Sequence, residues 1–201
     1  NKFKECVYVM ENDKTLLRIK TLTELHGAPG FEEEVRDYMK KEMTPFVDEV
    51  ITTHMGSVFG IKKSKKQNAK RVMVAAHMDE IGFMITNITQ NGMLQFTNLG
   101  GVSNDIWQGQ RLQVKNRNGE KIVGVVSNIP KHFRTGNEAV PEIKDLMLDI
   151  GAETDNQVRS RGIEIGYSIV PFTPFTQLSE HRYSAKAWDN RYGCVAEIEI
   201  L

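Results

Sequence analysis

Cysteine is scarce: the 201 residues hold two, Cys6 and Cys194, near opposite ends of the chain. Neither their number nor their spacing fits a zinc-binding cysteine set or a disulfide framework, so the chain is expected to work in the reducing cytoplasm. Long apolar runs are missing too. No stretch approaches the ~18 residues of a transmembrane helix. Lys2, Lys4 and Glu5 break up the apolar residues at the start, so that segment does not read as a secretion signal. Charge of one sign is lacking as well, since 26 Lys+Arg balance 26 Asp+Glu. Proteins dedicated to nucleic acid or to membrane surfaces normally carry a basic excess, and neither partner is expected. There is no internal repeat and no low-complexity linker. What remains is 40% hydrophobic and 26% charged, a globular balance in a chain long enough for one good-sized domain or for one domain carrying an inserted second.

Two helices come first. Leu16, Leu17, Ile19, Leu22 and Leu25 follow Asp13 at helical spacing and stop at Gly27 and Pro29. Phe31, Val35, Tyr38, Met39 and Met43 then repeat every three to four residues, behind an acidic start at Glu32–Glu34, and Pro45 closes the run. Residues 47–53 and 57–61 read as a hairpin around His54-Met55-Gly56. Arg71 to Ala76 is nearly continuous in apolar character, as in a strand buried on both faces. Short strands with turn residues between them follow: 83–89, 93–97, 111–115, 122–126, 145–150 and 163–170. Helical spacing returns only at Asn190 to Leu201, and no Gly, Asn or Pro signal closes that helix.

Two stretches could carry chemistry. In Ala76-His77-Met78-Asp79-Glu80-Ile81-Gly82-Phe83 a strand ends in polar residues, and if the backbone stays extended its period of two puts His77 and Asp79 on one side. A metal-bound imidazole usually passes its second N–H to a carboxylate, a part Asp79 could play. An isolated His-x-Asp is equally readable as a polar strand end with Asp79 capping the next turn. In Lys186-Ala187-Trp188-Asp189-Asn190-Arg191-Tyr192-Gly193, Asp189 could bridge two cations through its two oxygens, or it could simply N-cap the final helix. Spacing leaves both questions open. His26, His54 and His181 stand near glycines or turns without partners and read as structural.

Together these two stretches resemble the first two metal-site motifs of the family-42 metalloaminopeptidases, most nearly the cytosolic glutamyl aminopeptidases of Gram-positive bacteria. Weaker matches follow in the same order: Leu25 to Glu33, Val47-Asp48-Glu49-Val50 with Phe59-Gly60-Ile61-Lys62, Leu99-Gly100-Gly101, and Asp149-Ile150-Gly151-Ala152. The resemblance implies an α/β fold, a catalytic domain of residues 1–85 and 178–201, incomplete at its C-terminus, interrupted by a smaller β-rich lid and oligomerisation insert of residues 86–177. It further implies two divalent metal ions, zinc or cobalt, with His77 as ligand of one, Asp189 bridging both and Asp79 orienting His77 as a catalytic residue. A cis peptide is implied at Asp189–Asn190. The implied activity is removal of N-terminal residues, including Glu or Asp, from peptides by a homo-oligomer.

The chain departs from the family pattern where the remaining machinery belongs. A Glu-Glu pair, a further carboxylate ligand and a last His are absent after Asp189, and Glu197 and Glu199 lack the Glu-Glu-x-Gly setting. His132, in Ile129-Pro130-Lys131-His132-Phe133, has an altered setting and is given no catalytic role. The expected product is therefore a truncated and inactive subunit. Three rivals were weighed: a non-catalytic assembly module, a glycoside hydrolase using Asp79 with Glu80, and nucleic-acid binding through the lysines at 62–66, Lys70 and Arg71. Adjacent strand residues point to opposite faces, which disfavours the carboxylate pair. A lysine-rich turn without aromatic residues reads as a solvated loop. Lys186 and Arg191 read as solvent-facing or as structural ion pairs.

Overall fold

The computed structural model describes residues 13–127 and 141–201; Cys6 and His132 lie outside the described residues. The fold is mixed α/β, and the chain divides into two compact units. One comprises residues 1–80 and 174–201, the other residues 81–173.

The first unit opens with helix α1, Lys14–Glu24, where the Asp13 carboxylate accepts from the Leu16 N–H at 3.0 Å and caps the start. Helix α2 is Glu33–Met43, with Glu33 and Glu34 in its first turn and Lys40 and Lys41 in its last, the charge order a helix dipole favours. Strands β1, Glu49–Thr52, and β2, Val58–Ile61, form the expected antiparallel hairpin. The run Arg71 to Ala76 behaves differently from expectation. Among the described residues no strand pairs with it, and Val72, Met73 and Val74 are 85%, 79% and 51% exposed. An apolar run becomes a buried strand only when neighbouring strands take up its backbone groups, and none of the described strands does so.

The second unit is a closed six-stranded antiparallel barrel. Its strands are β3, Gly82–Ile88; β4, Leu94–Leu99; β5, Arg111–Lys115; β6, Lys121–Val126; β7, Met147–Asp149; and β8, Ser168–Pro171, in the order β3-β4-β7-β6-β5-β8. Period-two alternation sends Phe83, Ile85, Leu94, Phe96, Leu112, Val114 and Leu148 into the interior. There the Phe83 ring meets Phe96 and Trp107 edge to face, at 5.3 and 4.8 Å between centroids. This region is not purely β. Helix α3, Asp155–Ser160, is N-capped by Thr154, whose hydroxyl accepts from the Gln157 N–H. Of the strand expected at 163–170 only the last part forms, because Gly162 and Gly166 at positive φ turn the chain before Ser168.

The chain returns to the first unit through the hairpin β9, Thr176–Ser179, and β10, Arg182–Ser184. Helix α4, Trp188–Ile200, follows, although Asp189 and Asn190 have non-helical backbone angles and regular helix begins only after them. Cys194, Val195 and Ile198 of α4 pack with Leu22, Val35, Met39 and Met43 as the core of this unit. No described helix is long and apolar enough to cross a membrane.

Candidate functional site

Along the segment bearing His77 the side chains alternate between inside and outside. Ala76 and Met78 pack on the core of the first unit and Glu80 is buried, while His77 and Asp79 face outward. His77 lies between two carboxylates. Its Nδ1 is 3.0 Å from Asp79 Oδ1 and its Nε2 is 2.9 Å from Asp189 Oδ1, although His77 and Asp189 are 112 residues apart in sequence. The site is open: the side chains of His77, Asp79 and Asp189 are 52%, 39% and 91% exposed. Partial burial alone would lower the His77 pKa; the hydrogen bonds to Asp189 and Asp79, with the charge of Asp79, outweigh it and hold the imidazole above its ordinary value.

Asp189 is not an N-cap. Its carboxylate meets His77 Nε2, and among the described residues no backbone N–H of the following turn is bonded to it. The Asp189–Asn190 peptide bond is cis. Just behind, Gly193 leaves room for the turn, since a Cβ there would collide with Asn190 Oδ1 and come within 2.9 Å of Ala76 Cβ.

Beneath the exposed residues lies an ion cluster that sequence reasoning did not find. Glu80 is 5% exposed, and its carboxylate takes Lys186 Nζ at 2.5 and 2.7 Å and Arg191 Nη2 at 3.3 Å. Arg191, completely buried, also donates from Nε to the Met78 carbonyl at 2.7 Å and from Nη1 to the Leu22 carbonyl at 2.5 Å. Lys186 donates to the Leu25 carbonyl at 2.7 Å. Burial pushes the Glu80 pKa up against the pull of both cations, and burial lowers that of Arg191. Of the two roles open to Lys186 and Arg191, structural pairing is the one observed. Neither is free to serve as a cationic specificity group. The same arrangement removes Asp79 with Glu80 as an acid–base pair, because one faces His77 and the other is ion-paired inside. The last two acidic residues are also engaged: Glu199 pairs with Arg18 at 2.7 Å, and burial pushes the Glu197 pKa up against the pull of the Ala76 backbone.

The donor set suits a zinc-like cation in kind, one imidazole and carboxylates, but falls short in number. Among the described residues no group of three or more His, Cys, Asp or Glu side chains is arranged to hold a metal ion.

A family profile described as M42 glutamyl aminopeptidase matches residues 56–201. The glutamyl aminopeptidase of Lactococcus lactis is 39% identical over 189 residues, which cover 92% of this chain and 53% of that protein. Among solved structures, the aminopeptidase APDkam598 of the archaeon Desulfurococcus kamchatkensis matches at a TM-score of 0.86 and 33% identity, over 92% of this chain and 51% of that one. The TET1 peptidase of Pyrococcus horikoshii, described as assembling into a tetrahedron or a large octahedral shell, matches at 0.79 and 28%, over 92% and 55%. The chain thus spans about half the length of the relatives it matches. With the profile running through Asp79 and Asp189 alike, the chain belongs to the M42 glutamyl aminopeptidase family.

Proposed function

We propose that this chain is part of a dinuclear-metal aminopeptidase that removes N-terminal residues from peptides. His77 and Asp189 would hold the ions, with Asp189 shared between them, and Asp79 would keep the imidazole in place by accepting from Nδ1–H, which fixes the tautomer and raises the basicity of Nε2. The observation that carries this reading is the meeting of His77 Nε2 and Asp189 Oδ1 at 2.9 Å with Asp79 on the opposite ring nitrogen. When bound, zinc or cobalt ions supply Lewis acidity toward a peptide carbonyl. Preference for acidic N-terminal residues, suggested by the name of the Lactococcus relative, must rest on a cation other than Lys186 and Arg191, which Glu80 occupies.

A zinc ion generally takes three or four protein ligands, so two ions sharing one carboxylate require roughly five ligating groups. His77 and Asp189 provide two. The 201-residue chain alone therefore binds metal weakly and hydrolyses little or nothing. Titration calorimetry with Zn²⁺ and Co²⁺, beside leucyl- and glutamyl-anilide assays, tests this. The expected result is weak binding that His77→Ala or Asp189→Asn abolishes, without turnover. Two tightly held ions with full turnover would refute the claim of incompleteness, and binding indifferent to both substitutions would refute the site.

For residues 81–173 we propose the part of an insert within the catalytic domain that mediates self-association, supported by the assemblies named for the Pyrococcus relative. Light scattering at micromolar concentration tests it: a strictly monomeric chain counts against the role. The cytoplasm is the proposed location, supported by the buried free thiol of Cys194.

A further inference from the structure

His77 is carried by backbone that no described strand supports, so other groups must set its position. They come mainly from one side of helix α4. Glu197 lies against the Ala76 backbone, Cys194 Sγ is 3.5 Å from the His77 carbonyl, and Arg191 Nε donates to the Met78 carbonyl at 2.7 Å. Residues 191, 194 and 197 share a helix face, and they meet 78, 77 and 76 in reverse order, so the helix face stands in for a missing strand partner. The segment's end is fixed twice more, by the Glu80 N–H on the Gly27 carbonyl at 2.9 Å and by the Glu80 carboxylate on Lys186 and Arg191.

The two cations flank Asp189 in sequence, one three residues before it and one two residues after. Glu80 follows His77 by three. Closing Glu80 onto both cations therefore fastens the backbone that carries the imidazole to the backbone on each side of the carboxylate it meets. Lys186 on the Leu25 carbonyl and Arg191 on the Leu22 carbonyl anchor the assembly to the end of α1.

We infer that Glu80, Lys186 and Arg191 form a buried positioning clamp that sets the separation of His77 and Asp189. The inference concerns side-chain geometry. Its consequence for metal affinity rests on the reading given under Proposed function, and the experiment separates the two.

Two variants of the 201-residue chain test it. Lys186→Met and Lys186→Leu each cut one arm and leave Glu80 paired with Arg191, so the buried cluster becomes neutral. Neither leaves a buried charge without a partner, which is the costly case, so both are expected to fold. In EDTA, the nuclear Overhauser contact between the His77 ring and the Asp189 β protons reads the geometry without any metal. Co²⁺ affinity, from the absorption spectrum, is measured separately. The native chain is expected to show the contact and the variants to lose it while keeping their thermal midpoints within a few degrees, with Co²⁺ bound roughly 10–100-fold more weakly. As a control, Ile198→Val, which thins the core of the same unit, leaves contact and affinity unchanged. Folded variants that keep both the contact and native affinity overturn the clamp, as does a native chain without the contact. If the contact responds to the variants but Co²⁺ binding ignores His77→Ala, the clamp stands and the metal assignment fails.

Discussion

Gly27→Ala offers a sharp test of how firmly the buried guanidinium is held. A Cβ at position 27 would lie 2.6 Å from Arg191 Nη2 and 3.0 Å from Val35 Cγ2. An arginine normally swings aside from such a clash. Arg191 has little freedom to do so: its Nε and Nη1 are committed to the Met78 and Leu22 carbonyls at 2.7 and 2.5 Å, and the side chain is fully buried. Either the methyl is forced into a packed site, at ~1–3 kcal/mol, or Nη2 gives up Glu80, a charge-assisted bond worth ~1.5–3 kcal/mol. Relief of one comes at the expense of the other, so the net loss is that of the cheaper alternative, about 1–3 kcal/mol.

The assay follows from the distribution of tryptophans. Trp188 belongs to the unit that contains Gly27, and Trp107 belongs to the barrel. In a Trp107→Phe background, fluorescence in urea therefore follows the first unit. Gly27→Ala should lower the midpoint with the slope m unchanged. Gly101→Ala, where no atom lies within 4 Å of the added carbon, should stay within about 0.5 kcal/mol when its own unit is followed through Trp107 in a Trp188→Phe background. A loss at Gly27 no larger than that at Gly101 would refute the claim that Arg191 is locked.

Two further predictions concern protons. The Glu199 carboxyl is held below its ordinary pKa by its hydrogen bond from Arg18, so its contribution is present above the unfolded carboxylate value of ~4.3 and is lost as pH falls through the lower folded value. Acid unfolding followed by circular dichroism should show Glu199→Gln losing less stability between neutral pH and that region than the native chain; parallel curves would count against the pairing. Burial pushes the Cys194 thiol up to about 11, so Cys194 should resist iodoacetamide at pH 8 in the folded chain and react freely in guanidinium. Because the unfolded thiol ionises first, stability should fall as pH rises from ~8.5 toward the folded value. Equal labelling of Cys194 with and without denaturant, read by peptide mass, would show that the thiol is not buried.

Local signals were the legible part of the fold. Asp13 caps the first helix as its side chain suggests, Asn91-Gly92 sits between β3 and β4, and β5 occupies Arg111–Lys115 as alternation predicts. Each depends on a few neighbouring residues. Barrel closure does not: β3 pairs with β8, some 80 residues away by chain number, and nothing local to Phe83 names Ile169 as its partner. The run at Arg71 to Ala76 misled for the same reason, since its apolar character is local whereas its burial depends on strands supplied from elsewhere in the chain.

The Glu80 cluster lay between these extremes and was within reach of the alternation rule. If His77 and Asp79 face outward together, then Met78 and Glu80 must face inward, and an inward carboxylate requires cations. Lys186 and Arg191 were already in view beside Asp189. What discouraged the connection was the expectation that charged side chains belong on the surface, which holds for isolated charges and reverses once one of them is placed inside by backbone geometry. A buried acid on the segment that bears a candidate ligand therefore predicts two things at once: a basic partner elsewhere in the sequence, and a second ligand carried on the same backbone as that partner. Here Glu80 points to Lys186 and Arg191, and the backbone they share carries Asp189 between them, independently of any motif.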